Sequence, residues 1–128
     1  IVAFQESPII GIGPDVYRKT CPALSEGLSN IDCHTHPHNF YIQLAGETGL
    51  LGLVAGCFMM GSILITCFSY RRVDKDNIFT AIAYVIPLAV FFPIQTTSDF
   101  FGQWNNLFMW SAVAFALASG NLLPDREA

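Results

Sequence analysis

The stretch from Gly49 to Tyr70, GLLGLVAGCFMMGSILITCFSY, carries no charged residue and stops against Arg71 and Arg72. About 20 consecutive apolar residues cross a bilayer as a helix, and a backbone in hydrocarbon must satisfy its hydrogen bonds within its own segment. The run therefore predicts a transmembrane helix over 49–70. Composition agrees: 52% of the 128 residues are hydrophobic and 12% charged, against roughly 25% charged in a soluble domain.

Two further runs follow. Beyond the link RRVDKDN, residues 78–94 are uncharged, with Pro87 and Pro93 read as kinks tolerated inside a bundle. Beyond QTTSDFFGQWNN, residues 107–123 form a third span before the tail PDREA. Lys and Arg mark the cytoplasmic side of short loops, so Arg71, Arg72 and Lys75 place the link 71–77 in the cytoplasm. The loop 1–48 and the turn 95–106 then face outward, with the tail 124–128 inside. Arg18 and Lys19 run against this rule, being positive charges on the outer side. The predicted fold class is all-α integral membrane: an outer loop with short helices, then three transmembrane helices.

Within the loop, Pro8, Pro14, Pro22 and Pro37 break the chain into short pieces. Pro14 suits a first helical position and predicts a short helix through Asp15 to Thr20. A second helix is expected to start near Pro37 and carry His38, Asn39, Tyr41 and Gln43. In the first span Gly52 and Gly56 lie four apart, a spacing that lets helices approach closely. Three spans make a poor bundle, so further N-terminal transmembrane helices are the expected partners. A start at Ile1 without signal-peptide features agrees with that. The net charge of -4 offers no basic footprint for nucleic acid. Cys57 and Cys67 lie in the apolar run and read as small hydrophobes, whereas Cys21 and Cys33 are a possible disulfide in an oxidising compartment.

The densest chemistry is IDCHTHPHN, which holds all three histidines of the chain. One reading takes Asp32, His34 and His36 as the D-x-H-x-H opening of a metal-dependent amidohydrolase, a resemblance that implies a barrel of about 250 residues and further ligands. No histidine follows His38. A second reading gives the histidines no specific task. The third starts from His38-Asn39, followed after nine residues by Gly49-Leu50-Leu51-Gly52. This resembles the H-[NSQ]-x9-G-x-x-G signature of the O-antigen ligase family, which includes O-antigen polymerases. GIGPDVYR is similar to the family's G-x-G segment opening its large periplasmic loop, and SDFFGQWNNLFMW to the aromatic turn before its final span.

That resemblance implies a protein of about twelve spans in the bacterial inner membrane, of which this chain would be the C-terminal part. It implies glycan transfer from a polyprenyl-diphosphate donor to a hydroxyl of lipid A core or of a growing glycan. A sugar hydroxyl needs a base near neutrality, and histidine titrates there, which makes His38 the candidate. A diphosphate leaving group needs its charge neutralised, which suits planar arginine. Arg18 is the only arginine of the outer loop, with Lys19 beside it as a point charge. Asn39 either orients His38 or the acceptor, or caps a helix. Gly49 and Gly52 read as packing positions. Glu47 is expected to face solvent, with a polar cavity as the alternative, and Asp99 to be a solvated turn residue, with an approach to the loop as the alternative. No metal or other cofactor enters this scheme. A transport role of the bicarbonate type, discussed for some members of the same broad family, is the alternative, and the polar residues in the spans (Ser62, Thr66, Thr80, Ser111) give it little support.

Overall fold

A computed structural model describes residues 2–24, 26, 36–70, 77–94 and 96–120. It is all-helical over those residues, with α1 Val2–Glu6, α2 Tyr17–Leu24, α3 Phe40–Tyr70, α4 Ile78–Val90 and α5 Gln103–Gly120. Two compact units are formed, one from residues 1–57 with 93–105, the other from 58–92 with 106–128.

In the first unit α3 begins at Phe40, well before the expected span, and is interrupted at Gly49. Gly49 takes φ 65° and ψ −164°, a conformation that breaks a helix and that side-chain-bearing residues rarely adopt. The break divides α3 into a first limb, 40–48, and a second, 50–70. In a straight helix Leu44 and Gly56 would stand about 18 Å apart along the axis. Here a Cβ on Gly56 would lie 2.8 Å from the Leu44 side chain, so the chain turns sharply at Gly49.

A break of this kind strands two donors and two acceptors. The N–H groups of Leu50 and Leu51 ordinarily bond the carbonyls of Gly46 and Glu47. Instead they donate to Pro8 O (2.8 Å) and Ile9 O (3.2 Å), while those two carbonyls accept from Ile12 N (3.2 Å) and Gly13 N (2.9 Å). Residues 8–13 thus splice the break and leave none of the four groups unpaired. The splice requires backbone against backbone: a Cβ on Gly11, itself at φ 73°, would overlap the Glu47 carbonyl, and one on Gly49 would overlap the Ile9 carbonyl.

The second limb is the part of α3 that matches the expected 49–70 span. Leu50, Leu51, Val54, Phe58 and Ile65 on it are more than half exposed, an apolar surface that water disfavours and lipid or partner helices would cover. Among the described residues α3 is the single helix long and apolar enough to cross a membrane.

In the second unit Ala83, Ala116 and Cys67 are fully buried beside Met60, Phe91 and Val113. Phe68 stacks on Tyr84 at 5.9 Å and Phe91 meets Trp110 at 6.2 Å. Asn77 caps α4 by accepting from Phe79 N at 2.9 Å. The helix ends at Val90 instead of running to residue 94, because Pro93 disfavours helical backbone at the residue before it. Pro87 alone lies inside. At 13 residues α4 is about 20 Å long, short of the ~30 Å hydrocarbon core. α5 starts at Gln103, four residues ahead of the expected 107, and residues 121–128 lie outside the described set, as does the link 71–76.

The splice at Gly49 predicts that Gly49→Ala destabilises the full-length protein by about 3 kcal/mol, combining left-handed strain with overlap on Ile9. Gly46→Ala, whose new Cβ would meet only Ala3 Cβ at an ordinary 3.5 Å, is expected to stay within about 1 kcal/mol. Thermal unfolding in detergent measures both.

Candidate functional site

The first limb of α3 organises the polar residues of the first unit. Asn39 starts it: its Oδ1 accepts from Tyr41 N (3.0 Å) and Ile42 N (3.2 Å), the geometry of a helix cap. Its Nδ2 donates to Pro93 O at 2.7 Å. Asn39 is therefore the cap, the second of its two sequence readings, and it also ties down the segment from residue 93. His38 stands one residue ahead of the cap with its side chain exposed, and its carbonyl accepts from Thr97 N at 2.9 Å. The His36 ring meets it edge-on, centroids 4.8 Å apart.

One turn further, the limb presents a buried polar face. Gln43 and Glu47, four residues apart and so on one side of the helix, are each 1% exposed. Glu47 accepts from the Asp15 N–H through Oε2 (2.9 Å) and from the Tyr17 N–H through Oε1 (3.0 Å). Gln43 donates from Nε2 to Asp99 Oδ1 at 2.6 Å and more weakly to Glu47 Oε2 at 3.4 Å, and its Oε1 accepts from Phe100 N at 2.8 Å. Asp99 also accepts from Phe101 N (3.0 Å) and from the Asn105 side chain through its carbonyl (3.2 Å). Phe40 packs edge-on to Phe100, 5.2 Å between centroids.

The expectation of a solvated Glu47 is thereby corrected, and Asp99, half-buried, takes the second of its readings by approaching the loop. Glu47 is enclosed because the Gly49 splice draws residues 8–13 across it, and Asp99 is drawn in by Gln43. Burial pushes the Glu47 carboxyl up from its ordinary 4.5, and the negative charge of Asp99 adds to this. Hydrogen bonds from Asp15, Tyr17 and Gln43 pull the other way without cancelling it.

Arg18 lies on the exposed side, paired with Asp15 at 3.3 Å. The expected helix from Pro14 does not form as written. Asp15 takes φ 55°, left-handed and incompatible with a helix, so Pro14 and Asp15 make a turn and α2 begins at Tyr17. Lys19 is exposed on α2. Arg18 and His38 are connected through opposite ends of the first limb: Arg18 by way of Asp15 to Glu47, His38 at the Asn39 cap, about 12 Å away along the axis. Gly52 serves Thr48, whose hydroxyl donates to Leu44 O at 2.7 Å and would overlap any Cβ at 52.

Cys21 is buried and disulfide-bonded, with Tyr17 Oη 3.7 Å from its sulfur. Its expected partner Cys33 lies outside the described residues, as do Asp32 and His34 of the D-x-H-x-H reading. Among the described residues no group of His, Cys, Asp or Glu could hold a metal.

Three stretches singled out in the sequence thus meet on one short helix: GIGPDVYR on Glu47, SDFF on Gln43, and His38-Asn39 at its start. Residues 1–57 match the O-antigen ligase family model, the family that the His38-Asn39 to Gly49 and Gly52 spacing resembles. No curated protein and no solved structure shows a significant match.

The raised Glu47 carboxyl fixes a sign for pH dependence. The folded state holds its proton more tightly than the unfolded chain, so this contribution to stability is complete below about pH 4.5 and is lost as pH rises through the raised value. Against Glu47→Gln, which cannot titrate, the wild type should gain relative stability as the medium is acidified, in unfolding series at several pH values. Glu47→Ala, which leaves the Asp15 and Tyr17 N–H groups without an acceptor, is expected to cost about 2–4 kcal/mol.

Proposed function

We propose that this chain is part of a membrane glycosyltransferase of the O-antigen ligase type, acting in cell-surface polysaccharide assembly. The observation that carries the reading is the family match over residues 1–57, which includes His38, Asn39, Gly49 and Gly52. In this reading the protein moves a glycan from a polyprenyl-diphosphate donor to a hydroxyl of lipid A core or of a growing glycan. The loop 1–48 and the turn 95–106 face the periplasm. Residues 50–70, α4 and α5 from Leu107 onward belong to the membrane part, completed by further N-terminal helices.

His38 acts as the general base. Its side chain is exposed and its backbone is held from both sides, by the Asn39 cap and by Thr97, so the ring is presented from a fixed point. It takes the proton of the acceptor hydroxyl as the oxygen attacks the anomeric carbon. The bond from that carbon to the diphosphate oxygen breaks, and the electron pair leaves with polyprenyl diphosphate. Arg18 binds that diphosphate. A guanidinium has five N–H donors in a planar fork, so pairing with Asp15 leaves donors for phosphate oxygens. Lys19 adds charge beside it. Asn39 contributes by holding His38 in place, and Cys21 with Cys33 closes the loop between α2 and the histidines.

His38→Ala in the full-length gene, expressed in a null strain, should lower surface-glycan attachment by about 10²–10⁴-fold, the range for a lost general base. Normal attachment at normal protein level would end the proposal for His38. Arg18→Ala should weaken donor use and Arg18→Lys restore only part of it; full rescue by Lys would reduce the role of Arg18 to plain charge. A shift in gel mobility on reduction that disappears in Cys33→Ser would establish the Cys21 pairing.

A further inference from the structure

Glu47 is the one buried carboxylate among the described residues, and the transfer chemistry above leaves it without a task. We propose that Glu47 is a positioning residue for donor binding: through the Asp15 and Tyr17 N–H groups it fixes the turn that holds the Arg18 guanidinium, on the helix whose start presents His38. The proposal rests on the donor role given to Arg18.

The turn needs such a hold. Asp15 sits at φ 55°, a conformation that persists in side-chain-bearing residues when the surroundings over-determine it. Glu47 Oε2 takes the Asp15 N–H in that conformation, at 2.9 Å. Glu47 Oε1 takes the Tyr17 N–H at 3.0 Å, one of the unpaired donors at the start of α2, and α2 carries Arg18 and Lys19 as its next two residues. The Asp15 carboxylate then meets Arg18 at 3.3 Å. Each link from Glu47 to Arg18 is a hydrogen bond or the short covalent chain between them, so rotation or loss of the Glu47 carboxylate is transmitted to the guanidinium.

Glu47 is itself held. Gln43 lies one turn before it, and the same amide bonds Asp99 and Phe100. A buried charge is costly unless it is hydrogen-bonded, and an apolar side chain of equal size would fill the space at lower cost. What an apolar residue cannot do is orient two N–H groups at once. Positional errors near 1 Å in binding groups lower rates by up to about 10²-fold, which gives such a hold a functional consequence.

The test uses full-length protein in detergent with a synthetic polyprenyl-diphosphate-linked oligosaccharide, reading release of polyprenyl diphosphate, and amide hydrogen exchange over residues 13–18. Glu47→Gln should raise donor KM about tenfold, the low end for losing one hydrogen bond to a charged group, and speed exchange at Asp15 and Tyr17. Asp15→Asn keeps both the N–H that Glu47 accepts and a residue that tolerates the left-handed turn, so it reads the Asp15–Arg18 link alone and should raise donor KM in the same direction. Combining either with Arg18→Ala should add nothing to Arg18→Ala alone, since the changes act through one group. Multiplying effects in the double variants would overturn the proposal, as would faster exchange with donor KM unchanged. If Arg18→Ala itself leaves donor KM at the wild-type value, the donor role of Arg18 fails and the positioning of it falls too, a result distinct from an intact Arg18 effect that ignores Glu47.

Discussion

Four backbone hydrogen bonds at Gly49 set the architecture of the first unit. Breaking a helix inside an apolar segment exposes N–H and C=O groups that have no other partner, and each unpaired buried group costs about 1–3 kcal/mol. Residues 8–13 supply replacements for both broken i to i−4 pairs. That demand brings the N-terminal loop to the first limb of α3, and proximity of the loop is what encloses Glu47. The glycines at 11 and 49 are required because the two backbones meet where a Cβ would stand.

From the splice the polar network follows in order. Once residues 8–13 are fixed, the next turn delivers the Asp15 and Tyr17 N–H groups to the Glu47 carboxylate. Gln43, on the same helical face, reaches across to Asp99 and Phe100. Asn39 does at the start of the limb what Gln43 does at its middle, bonding Pro93 with the half of its amide that is not capping the helix. One nine-residue limb, 40–48, therefore gathers segments from both sides of it in sequence, and His38 is presented at its start. A His-Asn pair reads as chemistry in a motif, yet here the Asn is the part that builds the platform and the His the part left exposed.

The sequence carried the main outline of this chain. An uncharged run from Gly49 to Tyr70 can be little other than a long apolar helix, since periodicity and charge are local properties. The spacing from His38-Asn39 to Gly49 and Gly52 was enough to suggest the family that residues 1–57 match. Asn39 as a cap is equally local, because a cap bonds N–H groups two or three residues away. Helix ends were less legible: Pro93 ended α4 where it had been read as a kink, and the left-handed Asp15 moved the start of α2 to Tyr17.

What only the tertiary structure decided is the fate of Glu47, Gln43 and Asp99. By residue type a Glu at the edge of an apolar run and an Asp in a turn belong in water, and their partners lie 30 to 57 residues away in sequence. Gln43 and Glu47 four apart gave a faint signal of a shared face, but nothing local said what that face would meet. Apolar pattern and capping depend on neighbours within a turn or two and so are written in the chain. Burial of a carboxylate depends on which distant backbone must come to satisfy a broken helix, and that is settled by the fold.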